Sequence, residues 1–543
     1  MAERKRYDYI VVGAGTAGCV MANRLTEDPN IRVLLLEAGG HDRHLFIHMP
    51  ASAALAARNP KLIWDYKTEA EPHLDNRIVQ EQRGRVIGGS SSINGMVANR
   101  GNPRDYDGWA EQGLADWSFA HCLPYFRKME TFDRGASEYR GGDGPQHIET
   151  CPATNVLDRT FIESGLQAGY PFTDDQNGQQ HEGFHIAQSF TRNGRRWSTA
   201  AGYLRPVLAR PNLTLEMGAL VHRVVFSGKR AVGIDYAQHG SVHRAEAERE
   251  VILCGGAINS PQTLLLSGIG DAQHLAAHDV PLLAHVPAVG QHLEDHMTVP
   301  IQYAARKPVS VARQISTRLA RWRIGLQWLL FHNGLGTTNF CETGCFFKSS
   351  DDVPYVNIQH EFYALCAFVG ASSSNFAEGF MYSMGIMRPA SRGWVKLKSA
   401  NPADHPTIRF NFMEAESDRR EMIDGVRRTR DMAAQRAWDE LRGEELTPGA
   451  PVQSDAEILA WIRTVGSTEY HPTSSCRMGS GEDSVTDHQG RVHGVEALRV
   501  IDASIMPNNV TANLNAPVIM LAEKLADAVA GRTPLPPSAA PVD

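Results

Sequence analysis

No stretch of this 543-residue chain holds 18 consecutive apolar residues, so a conventional membrane-spanning helix is not expected. An apolar, strand-like run begins at Tyr7, which leaves no room for a charged leader, an apolar core and a cleavage site, and classical secretion is not expected either. Basic excess is missing too: the formal net charge is −7, the isoelectric point is near 6.3, and charges of both signs are scattered, which argues against a nucleic-acid partner. The eight cysteines are dispersed, a usage that fits a reduced, cytoplasmic protein better than a disulfide scaffold. Cys341 and Cys345 form a C-x-x-x-C pair with no second pair nearby, which is poor zinc spacing, and no metal is expected. Internal repeats are absent.

The chain is too long for one simple core, so two interlocked domains are the natural expectation. The N-terminus names the chemistry of one of them. Tyr7 to Val12 is an apolar, β-branched run; Gly13, Gly15 and Gly18 follow in G-x-G-x-x-G spacing; Ala17 to Leu25 reads as a helix; Ile31 to Leu36 forms a second strand ending in Glu37. Such a strand, turn, helix and strand unit lets the backbone approach a pyrophosphate lying on the helix N-terminus, and an acidic residue at the position of Glu37 accepts hydrogen bonds from a ribose. Glycines at a tight turn also serve packing alone, so the unit carries weight only as a whole.

Further along stand GRVIGGSSSINGMVANRGNPRDYD from Gly84, REVILCGGAINSPQTLLLSGIG from Arg249, a Tyr-His-Pro turn at Tyr470, His471 and Pro472, then RVHGVEALRVIDASIMP and VTANLNAP. Gly88, Gly89 and Ser90 supply small residues and donors where a flat ring must press on the backbone, although such a loop standing alone would read as polar surface. In this order, these motifs resemble the glucose-methanol-choline oxidoreductase family, FAD enzymes that take a hydride from an alcohol carbon. The resemblance runs from about Tyr7 to Ala530.

The resemblance implies an α/β fold in which a Rossmann-type FAD-binding domain (1–153, 197–297 and 469–531) is interleaved with an α+β substrate-binding domain (154–196 and 298–468), an antiparallel sheet flanked by helices. The Pro- and Ala-rich tail, 532–543, is expected to fray. To Gly13, Gly15, Gly18, Glu37, Gly88, Gly89 and Ser90 it adds Thr16, Ala17, Ala38, Arg85, Asn94, Gly95, Met96, Val97, Val221, Asp502, Ala503, Asn515 and Ala516 as FAD contacts. The last helix is expected to open over Asn515, Ala516 and Pro517, its N-terminus facing the flavin's electron-rich edge. Some relatives link flavin covalently through a histidine where this chain has Ile93, so FAD is expected to be held without a bond.

Alcohol oxidation needs a base beside the hydride acceptor. The family pairs a His with a His or Asn, and this chain matches the His-Asn version at His471 and Asn513, the second stabilising the developing alkoxide. Glu342, His360, Glu361 and Tyr470 are the substrate-contact candidates. The choline-acting members' pocket glutamate corresponds to Thr298 and the family's frequent pocket histidine to Glu361, so choline itself is doubtful. Strand alternation allows only one of His360 and Glu361 to face the pocket. Electrons are expected to pass to a quinone or similar acceptor; an oxygen-using oxidase and a non-redox FAD-containing lyase are the alternatives. Val311 to Phe331, with Arg313, Arg318, Arg321 and Arg323, reads as a basic helix that lies on the inner face of a membrane, covers the site's mouth, or packs on a partner. Composition fixes neither the alcohol nor the oligomeric state.

Overall fold

The computed structural model describes residues 6–367 and 376–541. Two sheets organise them. In the first, Leu213–Met217, Val33–Glu37, Arg6–Val12, Ser241–Leu253 and Leu498–Val500 run parallel, and Arg230–Gln238 and Leu220–Ser227 extend the sheet antiparallel from Ser241–Leu253. Val11 pairs with Leu35 on one side and Ile252 on the other. The central strands are buried on both faces, which is why YDYIVV and VLLLE read as continuous apolar runs rather than alternating ones. Helix Thr16–Leu25 packs against Asn515–Val529, whose Ile519, Met520, Leu521 and Ala522 are fully buried. That last helix begins at Asn515, so Pro517 sits in the first turn, where its missing N–H costs no hydrogen bond.

The second sheet is antiparallel throughout, in the order Arg442–Thr447, Met297–Ala305, Gly379–Ile386, Ile358–Tyr363, Cys341–Phe347, Gly183–Ile186, with Ser467–Thr468 pairing to the start of Met297–Ala305. Helix Glu416–Ala433 covers one face, burying Met422, Val426 and Met432 against Ile358, Met384 and their neighbours. The opposite face looks toward the first domain. This is the α/β class expected, with a Rossmann-type half and an α+β half.

In the C-terminal segment, Ser538 N–H donates to the Ala120 carbonyl, Leu535 N–H to the Tyr125 hydroxyl, and the Tyr139 hydroxyl to Pro541, while Leu535 and Ala540 pack on the core. One expectation needs correction. The single helix expected over Val311 to Phe331 is two, Ala312–Ile315 and Arg318–Phe331, because the Thr317 side chain accepts from Ala320 N–H and caps a fresh start.

Candidate active site

Between the C-terminal ends of the parallel strands and the second sheet lie two connected cavities. The first, about 180 Å³, is lined by Gly13, Gly15, Thr16, Ala17, Glu37, Ala38, Ser90, Val221, Gly256, Asp502 and Ala503, among others. Its glycines divide by role. A Cβ on Gly18 would lie 1.8 Å from the Gly13 carbonyl oxygen, and one on Gly13, where φ is +98°, would lie 2.6 Å from that of Cys254, so both are required by packing. A Cβ on Gly15 would meet nothing nearer than 3.8 Å and would enter the groove at the start of helix Thr16–Leu25. That is the space a pyrophosphate needs over a helix N-terminus.

Glu37 accepts from Ala14 N–H (2.9 Å) and Gly39 N–H (2.8 Å), which leaves acceptor capacity for ribose hydroxyls. Burial pushes its carboxyl up to about 7 in spite of those donors. Asp502 differs. Its two oxygens take four donors, Gly256 N–H, Ser260 Oγ, Ser504 N–H and Ser504 Oγ, so it organises the turn at the start of Gly256–Leu266 rather than offering a free acceptor. Gly88, Arg85 and Ala516 line neither cavity. Gly88 donates to the Ala14 carbonyl, Arg85 stacks over Trp64, and Ala516 is buried.

The second cavity, about 360 Å³, is lined by Asn94, Gly95, Met96, Val97, Thr298, Glu361, Glu469, Tyr470, His471, Asn513 and Asn515, among others. Thr16, Arg83, Ser90, Ala503 and Val518 line both cavities, so one bound molecule can run from the nucleotide groove into the second space. The groove's glycine cradle, its helix N-terminus and Glu37 fit FAD. Ile93 also lines the second cavity and offers no nucleophilic atom.

His471 is held from several sides. Its N–H donates to Asp295 (2.7 Å), its carbonyl accepts from Asn509 Nδ2 (3.0 Å), and its Nδ1 lies 3.0 Å from His296 Nδ1. The Asn513 carbonyl accepts from Asn99 Nδ2 (2.9 Å) and Gln359 Nε2 (3.1 Å), which turns its NH₂ toward Glu361 Oε1 (3.0 Å) and His471 Nε2 (3.5 Å). A donor facing Nε2 assigns the lone pair there and the ring proton to Nδ1, where it is donated to His296. Burial, then His296 and Arg83, hold the His471 imidazole well below the ordinary histidine value. It is neutral at pH 7, the state a proton acceptor requires.

Glu361 accepts from the Tyr363 hydroxyl (2.8 Å) as well as from Asn513, and Gln359 points the same way. His360 is excluded from the cavity. Fully buried on the opposite face of the strand, it bonds through Nε2 to Thr429 Oγ1 (2.8 Å), and burial pushes it down to about 3. Glu342 is excluded as well: it accepts from Ala153 N–H (3.0 Å) and faces a different depression with Glu149 and Cys151. Tyr470 lines the cavity in a left-handed conformation, φ +65°, its carbonyl taking Arg83 Nη1 at 2.6 Å.

Several residues escaped the motif reading: His296, Asn99, Gln359 and Asp295, which orient His471 and Asn513. Glu469 is a further carboxylate on the cavity wall, its Oε2 3.6 Å from His471 Nδ1 and without a hydrogen-bond partner. Burial, reinforced by the charge of Glu361, raises it well above the usual carboxylate range. Gly385 makes room for it, since a Cβ there would lie 2.3 Å from Glu469 Oε1. His296, Glu469 and His471 bring one ligand-type atom each within 4.8 Å of the others, a grouping no sequence spacing foretold.

Family profiles described as GMC oxidoreductase match residues 7–298 and 389–522. The chain belongs to the GMC oxidoreductase family. It is similar over nearly its whole length to the oxygen-dependent choline dehydrogenase of Paraburkholderia phymatum, 49% identical over 542 residues (99% of this chain, 95% of the relative). With mitochondrial choline dehydrogenase of Mus musculus it shares 47% over 548 residues (99% and 92%). The crystal structure of a Mesorbium loti pyridoxine 4-oxidase superposes with a TM-score of 0.87 at 29% identity, over 97% of this chain and 100% of that one. This GMC oxidoreductase therefore binds FAD and carries out FAD-dependent oxidation at a CH–OH group. Among the described residues no helix is long and apolar enough to cross a membrane.

Proposed function

We propose that this GMC oxidoreductase oxidises an alcohol whose hydroxyl approaches His471 Nε2 and Asn513 Nδ2 together from the cavity and whose far end is held by Glu361. The reading rests on one observation: His471 Nε2 and Asn513 Nδ2 lie 3.5 Å apart on the wall of a cavity that continues into the nucleotide groove. FAD, when bound, supplies the hydride acceptor. His471 takes the hydroxyl proton at Nε2, and the Asn513 N–H donates to the oxygen as negative charge grows on it. The proton left on Nδ1 is already shared with His296, so the ring turns cationic without reorienting. Glu361 gives the cavity an anionic wall, which favours an alcohol bearing an ammonium or a hydrogen-bond donor. The choline dehydrogenase relatives point to the same class, with the Thr298 hydroxyl on the cavity wall bonded to Ser383 and the Met384 carbonyl.

Electrons then leave to a quinone-like acceptor in preference to oxygen, because a carboxyl at Glu469 makes the cavity polar where oxygen would need an apolar pocket. Hydrogen peroxide formed as fast as a quinone or dye is reduced would overturn that part. FAD is held without a covalent bond, so acid precipitation should leave it in the supernatant; a yellow pellet would refute this.

The mechanism is tested by His471→Ala. Anaerobic flavin reduction by an alcohol that reduces the wild type should slow by about 10²-fold or more, the span of general-base loss, while FAD stays bound. Rates equal to wild type would sink it. Asn513→Ala should also slow reduction.

A further inference from the structure

Helix Arg318–Phe331 is apolar on two opposite faces, and only one is used. Its inner face buries Trp328, 1% exposed, whose Nε1 donates to the Gly194 carbonyl (2.7 Å), and Ile324 packs beside Ala312, Ile315 and Leu365. On the outer face Leu319, Trp322, Leu326, Leu329 and Leu330 are 67%, 63%, 38%, 55% and 62% exposed. At about 100° per residue these five fall in one stripe roughly 100° wide, centred nearly opposite Trp328. A stripe of this kind is too continuous to be scattered surface leucines.

Charge decides what covers it. From Arg306 to Cys341 the chain holds no Asp or Glu, although the protein as a whole is acidic at −7. Arg313, Arg318, Arg321 and Arg323 sit on or just before the helix, and Arg318 and Arg323 flank the stripe on its two sides. Among the described residues Arg313, Arg318 and Arg323 have no ion-pair partner. A second copy joined through a two-fold axis would set this cationic helix against itself. An anionic bilayer surface suits both features: the leucines and Trp322 enter the headgroup boundary while the arginines meet lipid phosphates.

We infer that helix Arg318–Phe331 seats this enzyme on an anionic membrane, lying in the plane of the headgroups. A short connection links the seat to the wall of the alcohol cavity. Past Phe331 the chain turns through Gly334–Thr337 to Asn339, whose Nδ2 donates to the Gly95 carbonyl (2.8 Å), and Gly95 lines the alcohol cavity. A lipid-dissolved quinone therefore meets the molecule on the side where the cavity wall is anchored. This use of the seat rests on the quinone-like acceptor proposed above, whereas the seat itself does not.

The test is flotation of the FAD-loaded enzyme with vesicles of phosphatidylglycerol and phosphatidylcholine, or of phosphatidylcholine alone, without substrate or acceptor, so that it is independent of the oxidation reading. At least tenfold more protein should float with the anionic vesicles, and high salt should release it. The triple substitution Leu319→Glu, Trp322→Glu and Leu329→Glu should abolish flotation with wild-type circular dichroism and flavin absorbance. Arg313→Gln with Arg318→Gln and Arg323→Gln should remove the preference for anionic lipid. Equal flotation with both vesicle types, a glutamate variant that floats like wild type, or a wild-type dimer that the same variant converts to monomer would each overturn the inference.

Discussion

The nucleotide groove and the alcohol cavity share five lining residues, yet they are assembled in different ways. The groove's centre comes from one continuous unit, Arg6 to Gly39, in which backbone N–H groups and missing side chains do the shaping. The cavity's reactive wall is made of side chains from distant segments: Asn99, His296, Glu361, Glu469, His471 and Asn513. A backbone-built site fails when anything is added to it. A side-chain-built site fails selectively, one function at a time, because each group is replaceable without moving the chain.

The most severe break of this contrast is Gly18→Ala. The added Cβ would lie 1.8 Å from the Gly13 carbonyl oxygen, which no side-chain rotation relieves. The expected cost is about 3 kcal/mol or more, with the flavin lost from the purified protein. Thermal unfolding followed by flavin fluorescence reads both effects, and a variant that keeps wild-type stability with FAD bound would contradict the packing role.

On the cavity side the comparison sharpens at neighbouring positions. Glu361→Gln should weaken apparent affinity for a cationic or amino alcohol by about tenfold or more, the loss of a charge-assisted contact, with little change in stability. His360→Gln should do the reverse, since its ring bonds Thr429 and packs against Phe347 and Tyr382 on the covered face. Melting temperature and apparent affinity measured on both variants separate these. An unchanged affinity in Glu361→Gln would remove that carboxylate from the substrate site.

The same contrast explains what was legible in the sequence. Gly13, Gly15, Gly18 and Glu37 could be read because their roles depend on residues within one local unit. The strands Arg6–Val12 and Val33–Glu37 were legible from their apolar runs. The choice between His360 and Glu361 was not, because alternation fixes that they diverge but not which face is covered; helix Glu416–Ala433 decides it from about 70 positions away. His296 and Asn99 carried no motif of their own, and their task of fixing the ring proton and the amide orientation exists only once the loops meet. The contacts of Leu535, Ser538 and Pro541 with Tyr125, Ala120 and Tyr139 could not be read either, because Pro and Ala carry no signal for partners about 400 positions away.

The last expected effect concerns Glu469, the carboxyl buried beside His471. Burial and the charge of Glu361 raise it well above its ordinary value of 4.5. The folded protein therefore binds a proton that the unfolded chain has already released once pH passes the ordinary glutamate range. Stability from this group is complete below that range and is lost as pH rises toward the raised folded value, with a slope of at most about 1.4 kcal/mol per pH unit. Glu37 and Glu81 are also raised, each to about 7, and give the wild type the same sign of slope. The difference between wild type and Glu469→Gln isolates the one group. Denaturant unfolding from pH 5 to 8 should show the variant gaining on the wild type as pH increases, and a constant difference across that window would mean that Glu469 ionises normally.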